Sequence, residues 1–164
     1  MIKSLTITVI AAVHGVVNCT ISLGKCPADG FPVEKNFDKE RYAGRWYEQV
    51  RDKNMFFEKC AECTTADYDM LPNGDLSVYN RAWYWYFNKY VSMHGSARCP
   101  GTDGKCIVNF GGKNKSDRIN YNILMTDYDN YSVVYSCYPI TSWLKSEYFW
   151  ILARTPEVDE DALK

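Results

Sequence analysis

The chain has 164 residues and a formal charge of -1, enough for one domain to bury a sizeable core without metal staples, and it offers no basic surface to attract nucleic acid. Thirteen Tyr, seven Phe and five Trp are many for that length, and β-rich folds favour such residues.

Met1 to Val17 holds one charge, Lys3, followed from Leu5 by a mostly apolar run too short to span a bilayer. It reads as a secretory signal cut near Cys19, which gives a signal segment 1–19 and a mature domain 20–164; the alternative is an N-terminal strand. Secretion would leave His94 as the single histidine. It would also leave Cys26, Cys60, Cys63, Cys99, Cys106 and Cys137, an even set in an oxidising compartment.

Asn36 to Val50 divides at Gly44. Before it, Asp38 suits the N-cap of a short helical turn; after it, Trp46 to Val50 alternates large and polar residues at strand spacing. Gly44 sits where a chain changing conformation beside a bulky ring needs no side chain. Arg51 to Cys63 is a long loop carrying Met55, Phe56 and Phe57, and loops of that kind tend to be functional. Thr64 to Leu71 and Leu76 to about Trp83 read as strands joined at Pro72-Asn-Gly-Asp75. The aromatic run from Trp83 to Phe87 then forms a strand end and hairpin loop, or a lip that touches a membrane or partner.

Lys89 to Arg98 alternates cleanly and turns Val91, Met93, Gly95 and Ala97 inward, leaving His94 on the solvent side. Cys99 and Cys106 flank a turn-rich stretch, so a hairpin bridge between them is expected. Cys60 and Cys63 are left to pair locally or exchange with the others. As a metal or redox pair they lack histidines and a suitable context. Cys106 to Phe110 and Ile119 to Thr126 read as strands, the second with Tyr121, Ile123 and Met125 inward. Asn114 and Asn130 open glycosylation sequons in polar turns. Tyr131 to Tyr138 is apolar on both faces. Tyr148 to Arg154 closes the set, with Tyr148, Trp150 and Leu152 on one face. From Pro156 the chain begins a helix, with Asp159 as a plausible cap.

About eight short antiparallel strands suit an all-β, up-and-down barrel enclosing one small ligand. The motifs support this. Gly44-x-Trp46 after Phe37-Asp38 and Tyr42, then Thr126-Asp127-Tyr128, then Arg154 resemble the three motifs of the lipocalins in order. Gly24-Lys-Cys-Pro27 and Tyr135-Ser-Cys137 narrow the resemblance to the branch of apolipoprotein D and the bilin-binding proteins. It implies a Cys26 to Cys137 bridge, which would turn Val134 and Ser136 inward, and a C-terminal helix longer than this chain holds. It also matches Cys63 to a cysteine whose partner is missing here.

Physical roles for the motifs follow from their chemistry. Trp46 fills the narrow end, Arg154 stacks on the indole with its remaining donors on carbonyls of the Phe37 to Ala43 turn, and Asp127 fixes the following hairpin. There is no catalytic constellation of nucleophile, base and orienting group, and neither cofactor nor metal is implied. The expected function is a secreted carrier, monomeric or weakly dimeric, for a sterol, retinoid, tetrapyrrole, carotenoid or fatty acid. Expected contacts are Val78, Asn80, Met93, Tyr121, Ile123, Met125, Ser136, Tyr148 and Trp150, with Phe56 at the mouth, around a cavity of about 300 Å³ or more. Alternatives are a closed barrel acting through its surface, an isomerase-type lipocalin, or an amine binder using Glu48.

Overall fold

A computed structural model describes residues 21–27, 31–51, 60–111 and 116–157. Eight antiparallel strands close into a barrel in the order β2(Gly44–Arg51), β3(Ala61–Met70), β4(Leu76–Tyr84), β5(Lys89–Arg98), β6(Lys105–Phe110), β7(Tyr121–Thr126), β8(Tyr131–Pro139) and β9(Leu144–Ala153). The last pairs with both β8 and β2, so no strand of the ring keeps a free edge. A ninth strand, β1(Ile21–Leu23), lies outside the ring against the start of β9. It was not anticipated, since three residues are too few to show a period.

The alternation in β5 predicts its limits and its faces. Ala97 is in the core, while His94 lies outside beside Tyr79, ring centroids 4.4 Å apart. β9 starts four residues earlier than expected, because the pairing of Ser146 with Ile21 and Tyr138 extends it.

One expectation fails in β7. Ile123 faces Val134 and Met125 faces the adjacent Val133, so two residues oppose one step of the partner strand. That bulge reverses the parity of everything after it. Met125 is consequently half exposed on the outside, and Thr126 is buried in its place.

Chain direction gives the barrel two ends. At one, α1(Lys39–Tyr42) crosses beneath the strands, N-capped by Asp38, whose Oδ1 accepts from the Glu40 and Arg41 amides at 3.0 and 3.1 Å. Gly44 follows at φ +98°, where an added Cβ would lie 3.2 Å from Arg154 Nη1, so both its backbone and its neighbour exclude a side chain. The turns after β3, β5 and β7 share this end. The short 3₁₀ turn Trp85–Phe87 and the turns after β6 and β8 lie at the other.

Two disulfides are formed, Cys26 to Cys137 and Cys99 to Cys106. The first holds the N-terminal segment against β8, and Phe31 stacks on Tyr135 beside it with centroids 4.5 Å apart. As the bridge requires, Tyr135 faces this outer segment, with Val134 and Ser136 inward. Cys60 and Cys63 are free thiols, correcting the expectation that they bridge. Cys63 stands exposed at φ +50°, where the β3 register shifts between Glu62 and Thr65, and Cys60 is half-buried before the strand. Met1 to Cys19, Met55 to Phe57, Asn114 and the part of the expected C-terminal helix beyond Glu157 lie outside the described residues.

Candidate functional site

The closed end is a plug of rings. Trp46 is fully buried, its Nε1 donating to the Tyr42 carbonyl at 2.9 Å, and Phe37, Tyr42 and Tyr68 pack around it. The Arg154 guanidinium lies 3.7 Å from the Trp46 ring centre. Its Nε donates to the Tyr128 carbonyl and its two terminal nitrogens to those of Arg45, Arg41 and Ala43, all at 2.9 to 3.0 Å. A lysine has neither the planar fork nor enough donors for this arrangement. Asp127 Oδ1 accepts from the amides of Asp129, Asn130 and Tyr131, and its Oδ2 from the Asn130 side chain, which fixes the β7–β8 turn. The two arrangements match the roles expected for the motifs.

Above the plug is a cavity of about 480 Å³. Inward positions at period two on neighbouring strands build its wall: Ala66 and Tyr68, Val78, Asn80 and Ala82, Val91 and Met93, Val108 and Phe110, then Tyr121, Ser136, Tyr148, Trp150 and Leu152. Of the expected contacts, Val78, Asn80, Met93, Tyr121, Ser136, Tyr148 and Trp150 line it. Ile123 does not, being packed with the deeper core, and Met125 is excluded by the bulge. Phe56 lies outside the described residues. Tyr68, Val108 and Phe110 were missed, although the alternation of Thr64, Ala66 and Tyr68 carried the signal for the first.

The floor is hydroxylic. Tyr68 and Tyr121 share a hydrogen bond of 2.9 Å, and Tyr42 meets the Ser132 hydroxyl at 3.0 Å. Burial pushes the Tyr42 phenol up to about 12 and raises those of Tyr68 and Tyr121 further, so all three are neutral at physiological pH. Polar groups also stand on the wall, among them Glu48, Asn80 and Arg81. Glu48 faces the cavity but is held by Arg51 at 2.7 Å, so a cationic ligand would compete with a guanidinium already in place. Asn80 Oδ1 is buried against the cavity without a hydrogen-bond partner. A buried amide oxygen left unpaired is costly unless something occupies the space before it.

A plugged barrel open at one end over an apolar, hydroxyl-floored cavity defines a binding protein for small molecules. The profile of the lipocalin-like domain family matches residues 37–164, and the chain belongs to that family. It is 32% identical over 141 residues to apolipoprotein D of Rattus norvegicus, covering 86% of this chain and 72% of that one. It is 36% identical over 140 residues to the Lazarillo protein of Schistocerca americana, covering 79% and 64%. Among solved structures, insecticyanin from the tobacco hornworm Manduca sexta superposes with a TM-score of 0.71 at 25% identity, over 87% of this chain and 76% of the other. The protein therefore stands with carrier-type lipocalins rather than with enzymes.

Proposed function

We propose that this protein is a secreted carrier for one small, neutral, lipophilic molecule with a hydrogen-bonding group positioned for Asn80. The cavity carries the proposal: its volume lies in the range of small-molecule sites, and its wall is apolar except at a few placed groups. Apolar surface leaving water contributes about 25 cal/mol per Å², enough for micromolar or tighter binding after association costs. The committed Glu48–Arg51 pair favours a neutral ligand over an amine. A sterol or retinoid alcohol can donate to the Asn80 oxygen, whereas an ionised fatty acid cannot and would depend on Arg81, the cation among the described cavity-lining residues, which stacks on Tyr90.

Export is supported by the leader-like Met1 to Cys19 and by two disulfides of the kind oxidising compartments maintain. No helix among the described residues is long and apolar enough to cross a membrane. Asn130 lies exposed at its turn and is the described glycosylation candidate, although a glycan would displace its side-chain bond to Asp127.

Titration of delipidated protein with sterols, retinoids, tetrapyrroles, carotenoids and fatty acids tests the proposal through Trp150 emission. Saturable quenching by at least one class at one molecule per chain is expected, and Met93→Trp should weaken it by filling the lumen. A flat response from every class, with native mass spectrometry of source-purified protein showing no bound molecule, would return the barrel to a surface-acting role.

A further inference from the structure

The rim of the barrel presents an unusual surface. Trp85, Tyr86 and Phe87 are 55%, 71% and 60% exposed at the tip of the β4–β5 hairpin. Across the mouth, the β8–β9 turn exposes Ile140 and Trp143. At the opposite end, the turns Pro72 to Asp75, Pro100 to Gly104 and Asp127 to Asn130 are almost wholly polar, Tyr128 being buried. Large apolar residues scattered singly on a surface need no explanation, but five, four of them aromatic, gathered on two turns at one end do.

The geometry points to a phospholipid bilayer surface as the partner of this rim: the Trp85–Phe87 tip and the Trp143 turn enter the headgroup layer and set the cavity mouth against the membrane. Three observations favour a bilayer over a protein. The first is side-chain chemistry, since Trp and Tyr have an apolar body and a polar tip, the combination that settles at a membrane–water boundary. The second is charge. Lys89, over the Phe87 ring, and Arg81, over the Tyr90 ring, lie beside the tip, where they can meet lipid phosphates. The third is continuity. Tyr84 lines the cavity and packs on Phe87, so the docking tip and the cavity wall are one surface. This inference goes beyond the carrier reading and does not depend on it, because an empty barrel with the same rim would dock as well.

Flotation of the purified protein with vesicles of phosphatidylcholine, alone or mixed with phosphatidylserine, tests this. The protein should rise with both, more with the mixed vesicles at low salt, and its tryptophan emission should shift to the blue. The combined substitution Trp85→Ser, Tyr86→Ser and Phe87→Ser should lower partitioning about a hundredfold and leave ligand titrations in solution unchanged. If that variant loses its melting transition, Ile140→Ser with Trp143→Ser makes the same test from the other turn. Protein that stays at the bottom of both gradients overturns the proposal, as does a folded rim variant that floats like the parent. A dimer in sedimentation equilibrium that the rim substitution abolishes, without flotation, also overturns it and assigns the surface to self-association.

Discussion

The turns at the closed end are tied to one another, whereas the β4–β5 hairpin tip at the open end projects large rings into solvent with little to hold them. At the base the Phe37 amide donates to the Thr102 carbonyl at 2.8 Å, Lys39 reaches the Gly74 carbonyl, and Arg154 ties the carbonyls of Arg41, Ala43 and Arg45 to that of Tyr128. At the mouth the hairpin tip has a single backbone bond, from the Asn88 amide to Trp85 at 3.2 Å. The same eight strands therefore carry stability at one end and binding surface at the other. Substitutions should separate accordingly, costing stability at the base and affinity above it.

The largest effect is expected for Trp46→Ala. Removing a fully buried indole that also carries the guanidinium and a backbone bond should cost about 3–5 kcal/mol, read as a fall in the denaturation midpoint. Opening the Cys26 to Cys137 bridge as Cys26→Ser with Cys137→Ser comes next, at about 2–4 kcal/mol, since a crosslink spanning 111 residues restrains the unfolded chain. Arg154→Ala should cost about 2 kcal/mol through lost stacking and orphaned carbonyls, and Arg154→Lys should recover little of it. A variant at position 154 that keeps its melting temperature but loses ligand affinity would break the division between the two ends.

The buried phenols give the base a pH dependence of known sign. Tyr42 is raised to about 12, against about 10 for an unfolded tyrosine. Between those values the unfolded chain has released protons that the folded chain still holds, so stability present below about pH 10 is lost as pH rises. Tyr68 and Tyr121 shift in the same direction. Melting temperature should fall as pH is raised through that window, less steeply in Tyr121→Phe. A profile without this alkaline limb would mean that water reaches these hydroxyls.

The base was also the end most legible in the sequence. Its motifs place a glycine, an indole, a cap and a guanidinium at fixed offsets, and each has one physical use. Strand alternation likewise gave the faces of β5 and the wall positions Val78, Asn80 and Trp150. It failed at two places: the bulge at Leu124 reversed Met125, and Cys63, at a left-handed φ beside a register shift, is a free thiol. Periodicity carries no sign of an inserted residue, and cysteine spacing does not tell a bridge from two free thiols. Ile123 was missed differently, since its face was right and only its depth wrong. Alternation tells in from out, but depth depends on strand tilt around the ring.

The smallest effect on stability should come from Asn80→Leu, and its direction is the informative part. In the unliganded protein the Asn80 Oδ1 is buried without a partner, so an apolar side chain of similar volume should be neutral or stabilise the fold by about 1 kcal/mol. For a ligand that places a hydroxyl against this amide, the same change removes a hydrogen bond and should weaken binding about tenfold. It should leave binding of a hydrocarbon analogue lacking the hydroxyl nearly unchanged. Paired melting curves and fluorescence titrations with an alcohol and its deoxy analogue measure both quantities on one sample. Gain of stability with loss of discrimination would assign Asn80 to ligand recognition, the reverse of what Trp46 and Arg154 do below it. Clear destabilisation with discrimination intact would make Asn80 a structural residue and put the polar contact elsewhere on the wall, with Ser136 the next position to substitute.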